Sequence, residues 1–244
     1  MNQTIRELYE RKSVRVFTDR EISEEDRNLI LKSATMAPTA GNQQLYTIIH
    51  VTDQRKKELL AESCDHQPFI AEARMVLIFC ADYLKWYRAY ICAGAEPRKP
   101  DVGDLLLAVE DATIAAQNAV VAAHSLGIGS CYIGDIMENY EVQKEILGLP
   151  DHIFPAVMLV FGYPDRQQLE RKKPERVPLS SIVYENSYPH LTEEDIRDIF
   201  SDKTGDDFDG YMQRFCKRKY NSDFSREMQR SVRTFLERNF DHEI

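Results

Sequence analysis

The chain has 244 residues, 43% hydrophobic and 10% aromatic, enough for one large core or a compact domain with an extension. Its 40 acidic against 31 basic side chains leave a formal net charge of -9, which excludes a general nucleic-acid or anionic-membrane surface, since both need a basic field. Cys64, Cys80, Cys92, Cys131 and Cys216 are scattered without a C-x-x-C pair, and the opening MNQTIRELYERKS lacks an apolar signal core, so a reduced, cytoplasmic setting is expected.

In chain order, Thr4 to Arg11 reads as a short amphipathic helix and runs into a tight basic cluster, Arg11-Lys12-Ser13-Val14-Arg15. Ser23-Glu24-Glu25-Asp26 is a capping signature for a helix carrying Leu29, Ile30 and Ala34 inward. Pro38-Thr39-Ala40-Gly41-Asn42 breaks it as a loop. Tyr46 to Val51 reads as a strand and Asp53 to Ser63 as a helix. Met75 to Cys80 is continuously apolar, the mark of a central strand covered on both faces. Tyr83 to Pro100 is irregular, with Trp86, Tyr87 and Tyr90 beside glycine and prolines, and reads as a lid or an insertion.

Asp104 to Ile136 organises the rest. Leu105, Leu106, Leu107, Ala112, Ile114, Ala115, Ala119 and Val120 leave a helix with almost no polar face, fit for a domain centre or a subunit interface. Glu110, Asp111, Gln117 and Asn118 interrupt it too often for a membrane span. Gly127 and Gly129 stop it, and Ser130 to Ile133 follows as a short strand ending at Gly134. Beyond lie an amphipathic helix from Tyr140 to Leu147, a strand from Ala156 to Phe161 and a charged loop from Gln167 to Pro178. Ser180 to Pro189 has strand-like content; Thr192 caps a helix; the rest is polar and helical, with Tyr211, Phe215, Phe224, Val232, Phe235 and Leu236 as its apolar contacts. Strands and helices mix without a βαβ alternation, which makes the class α+β.

Few side chains offer chemistry of their own. No H-E-x-x-H, G-x-S-x-G or P-loop is present, and the six histidines show no ligand spacing, so neither a catalytic side chain nor a metal set is expected. Gly127-x-Gly129 follows a helix rather than a strand and fails as a dinucleotide fingerprint. Arg11 to Arg15 and Arg171 to Arg176 are basic loops, each readable as a solvated face. The first, two guanidinium forks around a hydroxyl, also suits a phosphate dianion.

Several motifs in order carry a resemblance. Arg11-Lys12-Ser13-Val14-Arg15-Val16-Phe17, the Pro38-Thr39 loop, Cys80-Ala81-Asp82, Ala115-Ala116-Gln117-Asn118-Ala119, Ser125-Leu126-Gly127-Ile128-Gly129, Tyr132-Ile133-Gly134, Gly148-Leu149-Pro150 and Glu185-Asn186-Ser187-Tyr188 resemble the FMN-dependent nitroreductase family. Within it the chain is most similar to the oxygen-insensitive NADPH nitroreductases and NADPH-flavin oxidoreductases, over about residues 3 to 190.

The resemblance implies an α+β, nitroreductase-like fold with a mixed β-sheet flanked by helices, in an intertwined homodimer around the long central helix. It implies FMN-binding residues 1–190 and a helical extension 191–244. Arg11, Lys12, Ser13 and Arg15 would face the FMN phosphate, ribityl and pyrimidine side. Lys173 and Arg176 would add phosphate contacts, in a loop one residue longer than the family's Lys-Pro-Arg, where Lys172 competes for the role. Pro38 and Thr39 would reach the flavin of the other subunit, and Gln67 its polar edge. Tyr132, Ile133 and Gly134 would pass under the isoalloxazine ring. Asp135 stands where the subgroup has a second glycine; Asn42 and Phe69 also depart and would shape the substrate pocket. Lys217 and Arg218 would meet the NADPH 2′-phosphate, or else form the wet side of a helix. The implied activity is hydride transfer from NADPH or NADH to FMN, then two electrons to a nitroaromatic or quinone. Alternatives are a reductase supplying free reduced flavin and a flavin-binding protein without turnover. Partners are small-molecule acceptors, with no nucleic acid and no membrane.

Overall fold

The computed structural model describes residues 1–240. Side-chain caps open the early helices: Asn2 accepts from the Ile5 amide for α1 (Gln3–Glu10), and Ser23 from the Asp26 amide for α2 (Glu24–Thr35). Ile30 and Ala34 are buried as expected, but Leu29 is 46% exposed. It stands about 100° round the helix from Ile30, off the stripe that Ile30 and Ala34 share. Next come β1 (Tyr46–Val51), α3 (Gln54–Ser63) capped by Asp53, α4 (Pro68–Glu72), and β2 (Met75–Ala81).

The expected irregular segment after β2 contains a helix, α5 (Leu84–Cys92). Its aromatic residues, at i and i+4 in Trp86 and Tyr90, sit on one face and had masked the helical period. Helix α6 (Val102–Ser125) follows, with a capping box between Asp101 and Asp104. Then come β3 (Gly129–Ile133), α7 (Tyr140–Leu147), β4 (Phe154–Gly162) and a one-turn α8 (Arg166–Glu170) inside the expected charged loop.

The sheet is antiparallel in the order β1-β2-β4-β3. Strands β2 and β4 are interior, which is why both are apolar at every position and buried throughout. A parallel pairing is made where Ser13 bridges Ser130 on β3. Two glycines allow the N-terminal segment to lie this close. A Cβ on Gly129 would come within 2.7 Å of the Val14 side chain, and one on Gly162 within 2.7 Å of Phe17.

Helix α6 supports the sheet. Ala108, Ala112, Ala115, Ala116, Ala119, Val120 and Ala123 are fully buried, so the alanine side is the packing side. Length and composition alone would let α6 cross a membrane; here that side is in the core. The opposite side is apolar but open, with Leu106 59%, Leu107 46% and Ile114 40% exposed. Gly127, at φ 74°, ends the helix, and the Ile128 amide returns to the Ala123 carbonyl at 2.9 Å.

Contacts divide the chain into two units, residues 1–171 with the chain from 227 onward, and residues 172–226. Helix α11 (Asp223–Phe240) enters the first unit from Glu227. There Ser231 accepts from the Tyr140 amide at 2.9 Å and donates to the Met137 carbonyl at 2.7 Å. Phe235 is fully buried, its ring 5.2 Å from that of Tyr140 and 4.8 Å from that of Phe154. The Asn239 side chain accepts from the His152 amide at 2.7 Å.

The second unit holds α9 (Glu193–Thr204), capped by Thr192, and α10 (Phe208–Lys219). Arg197 ties them, bonding Glu193 at 2.9 Å and Asp209 at 3.1 Å. The strand-like 180–189 stretch is a 3₁₀ turn (Leu179–Ser181) followed by irregular chain. Ile182 and Val183 are 64% and 60% exposed, so β-branched content there meets no strand to pair with.

Candidate functional site

The edge of β3 gathers most of the candidate residues of the first unit. The Val14 amide donates to the Ser130 carbonyl at 2.9 Å, which fixes residues 11–15 alongside the strand. Arg11 lays its guanidinium 5.8 Å from the Tyr132 ring centroid. Arg15 is held through its backbone, its amide donating to the buried Gln168 side chain at 3.2 Å, while its side chain stays exposed. Lys12 plays a structural part, because its ammonium donates to the Leu169 carbonyl at 2.8 Å and to that of Arg171. Arg171 returns a bond to the Ser13 carbonyl. Together these lock the chain after α8 onto the basic segment.

Burial raises the Cys131 thiol, while Arg15, Ser13 and Arg11 pull it down, so all three polar side chains converge on this strand. Burial also pushes the Tyr132 phenol up to about 12, against the pull of Arg11. Its hydroxyl donates to Gln117 on α6 at 3.1 Å. Ile133 is buried, and Gly134, which opens a 3₁₀ turn (Gly134–Met137), faces open space, where an added Cβ would meet nothing within 4 Å. Bare backbone, guanidinium groups and a hydroxyl therefore share one rim. That arrangement can receive the face of a flat ring and the negative charge of a phosphate.

Gln67 caps α4 and donates to the Cys64 carbonyl at 2.8 Å, at the end of an unusual turn in which Asp65 and His66 are both left-handed. Phe69 packs, partly buried, against the core. Lys173 and Arg176 belong to the second unit, as do Lys217 and Arg218 at the end of α10. Arg218 lies 5.3 Å from the Phe215 ring, which stacks on Tyr211 at 5.9 Å. Phe215 is 41% exposed, so this apolar side is only partly dry.

The 38–45 loop is built by a residue the sequence pattern does not single out. Asp111 reads there as an interruption of α6; in the fold it is 3% exposed and organises the loop. Its carboxylate accepts from the Ala40 amide at 3.0 Å, the Leu45 amide at 3.0 Å and the Thr39 hydroxyl. Thr39 in turn accepts from the Gln44 amide at 2.7 Å. Gly41, Asn42 and Gln44 all have positive φ, a strained run that this carboxylate sustains. A signal was present: Asp111 shares the buried stripe of Ala108 and Ala115, three residues before it and four after.

Glu138 likewise has no mark in the sequence. It is 5% exposed and its Oε1 has no hydrogen-bond partner. Burial, then the charges of Asp135, Asp65 and Glu227, push its carboxyl up to about 7. The folded chain therefore holds this proton where the unfolded chain has released it, and stability falls as pH rises from about 4.5 to 7. Glu138→Gln should stabilise the protein by on the order of 2 kcal/mol at pH 8 and by much less at pH 5. Equal gains at the two pH values in denaturant titrations would contradict the assignment. Among the described residues, no three His, Cys, Asp or Glu side chains are grouped to hold a metal.

The Nitroreductase family model matches residues 8–163. The chain belongs to the nitroreductase family. It is 35% identical over 217 residues to an FMN reductase (NADPH) of Bacillus subtilis, covering 85% of this chain and 84% of that one. It is 36% identical over 194 residues to an oxygen-insensitive NADPH nitroreductase of Salmonella typhimurium, covering 79% and 78%. Among solved structures, the NADPH:FMN oxidoreductase of Vibrio harveyi complexed with NAD+ superposes with a TM-score of 0.78 at 27% identity, over 96% of this chain and 98% of that one. Family and α+β architecture thus agree with what the motifs implied. The family match ends one residue after β4.

Proposed function

We propose that this nitroreductase-family chain is an NAD(P)H-dependent FMN oxidoreductase that reduces nitroaromatics or quinones. The observation that carries the reading is the rim of β3, where Arg11, Ser13 and Arg15 run beside the strand that leads to the open backbone at Gly134. FMN, when bound, would supply the hydride and electron chemistry that no side chain here offers. Arg11 and Ser13 would hold its phosphate and ribityl groups; Arg15 would favour negative charge on the pyrimidine side. Tyr132, Ile133 and Gly134 would let the ring lie close to the backbone, and Gln67 would meet its polar edge. Lys12 would act by fixing the 169–171 carbonyls, and Lys173 and Arg176 would complete the phosphate site. Residues 1–190 form the flavin-binding part in this reading, and 191–244 the helical extension.

The open apolar side of α6 supports a homodimer, because a second copy would cover Leu106, Leu107 and Ile114. In it Pro38, Thr39 and Asn42 would approach the partner's flavin. The Thr39 hydroxyl already donates to Asp111, so it would meet the flavin as an acceptor. All five cysteines are free thiols, in keeping with a cytoplasmic setting. Lys217 and Arg218 would bind the NADPH 2′-phosphate, with Phe69 lining the acceptor pocket; equal KM values for NADPH and NADH would return α10 to a solvated helix. The purified protein should be yellow, sediment as a dimer and be bleached by NADPH without air, its colour returning on addition of a quinone. A colourless protein that gains no flavin on incubation with FMN would overturn the reading.

A further inference from the structure

The aromatic segment between β2 and α6 builds a cavity that the flavin reading does not use. It measures 340 Å³ and lies between the 38–45 loop and α5, walled by Tyr83, Trp86, Tyr87 and Tyr90, with Leu45 and Leu107 also lining it. Such a volume is within the range of small-molecule sites. We propose that it is a second binding site, for a neutral, flat aromatic or quinoid molecule of about two fused rings bearing a carbonyl or nitro oxygen.

Three observations lead there. First, the walls are fixed before any ligand arrives. The Trp86 indole N–H donates to the Gln43 carbonyl at 2.7 Å, and Asp111 holds the same loop from behind through Ala40 and Leu45. The Trp86 and Tyr90 rings sit 6.0 Å apart at 46°. Binding against rings already anchored costs little side-chain entropy.

Second, aromatic area is left uncovered. Trp86 is 38% and Tyr90 39% exposed, although Tyr83 beside them is buried. Aromatic rings left partly open in this way favour an offset-stacked aromatic guest.

Third, the charges at the rim are already matched. Arg98 grips Asp104 through two bonds, at 2.6 and 2.8 Å, and donates to the Lys99 carbonyl at 3.1 Å. Neither charge is left to recruit an ion, which selects a neutral ligand. The polar groups that remain are weakly engaged: the Gln43 amide reaches Tyr90 only at 3.4 Å. It can turn its N–H to a carbonyl or nitro oxygen, and Tyr87 lines the same space.

This inference does not rest on the flavin, because every wall comes from one chain and no cofactor is needed; Leu107 is a wall that the proposed second copy would also reach. Trp86 is the chain's single tryptophan, so its emission reports the cavity directly. The protein as purified, without reductant, is titrated with 2-methyl-1,4-naphthoquinone. Emission should fall along a saturable curve with an unchanged excited-state lifetime, and the 2-sulfonated, anionic naphthoquinone should bind more weakly. Tyr90→Ala should raise the quinone dissociation constant about three- to tenfold and leave flavin content as in the wild type. Should the alanine variant not fold, Tyr90→Leu keeps bulk without the ring and should show the same loss. Quenching that stays linear and shortens the lifetime would overturn the site, as would saturable quenching that neither variant alters. A yellow protein without quenching removes this inference alone; a colourless protein that still binds quinone at Trp86 removes the flavin reading alone.

Discussion

Asp111→Ala should cost about 3–4 kcal/mol of stability, which lowers the melting temperature by roughly 10 °C for a chain of this size. The carboxylate is the shared acceptor for the Ala40 and Leu45 amides and the Thr39 hydroxyl, and no other element replaces it in these bonds. Truncation leaves those donors partly buried without an acceptor, which is more expensive than forgoing a bond in water. The loop then loses its support for positive φ at Asn42 and Gln44, and with it the carbonyl that anchors Trp86. Tryptophan emission should shift to the red well below the melting temperature. Asp111→Asn, which keeps one carbonyl oxygen, should lose about half as much. An alanine variant within 1 kcal/mol of the wild type in denaturant titrations would show that the loop stands without this clamp.

Arg11→Ala should weaken FMN binding about ten- to a hundredfold, the loss of a charge-assisted bond. Arg11 extends from the end of α1 to the Tyr132 ring, so it stands over the strand proposed to underlie the flavin. Val14, which fixes this segment through Ser130, is untouched by the change, and the fold should survive. The variant should elute pale, with an unaltered melting temperature when FMN is absent. Unchanged affinity in a titration of FMN fluorescence would remove Arg11 from the phosphate site.

Much of the fold could be read from the chain because local signals agreed with the global result. Ser23 and Thr192 announce helices that do begin there, and continuous apolar runs mark the interior strands β2 and β4. What stayed hidden depends on distance along the chain. Ile182, Val183 and Tyr184 have strand composition, yet a strand needs a free edge, and none is supplied to them. Asp111 looked like a polar interruption because its partners lie 66 to 72 residues away. The basic cluster reads as a candidate anion site, but Lys12 bonds the carbonyls of 169 and 171, which no local pattern foretells. Glu138 owes its raised carboxyl to burial first, then to Asp135, with Asp65 and Glu227, both distant in sequence, adding to them; burial and the distant charges leave no local mark.

The return of α11 to the first unit sets an order of events during biosynthesis. Phe235 fills the space between Tyr140 and Phe154, and Ser231 closes the turn ahead of α7. A nascent chain that has emerged through β4 possesses all four strands but not this plug, so its core remains open to water and to other hydrophobic surfaces. Completion of this core must wait until residues 227–240 clear the ribosome.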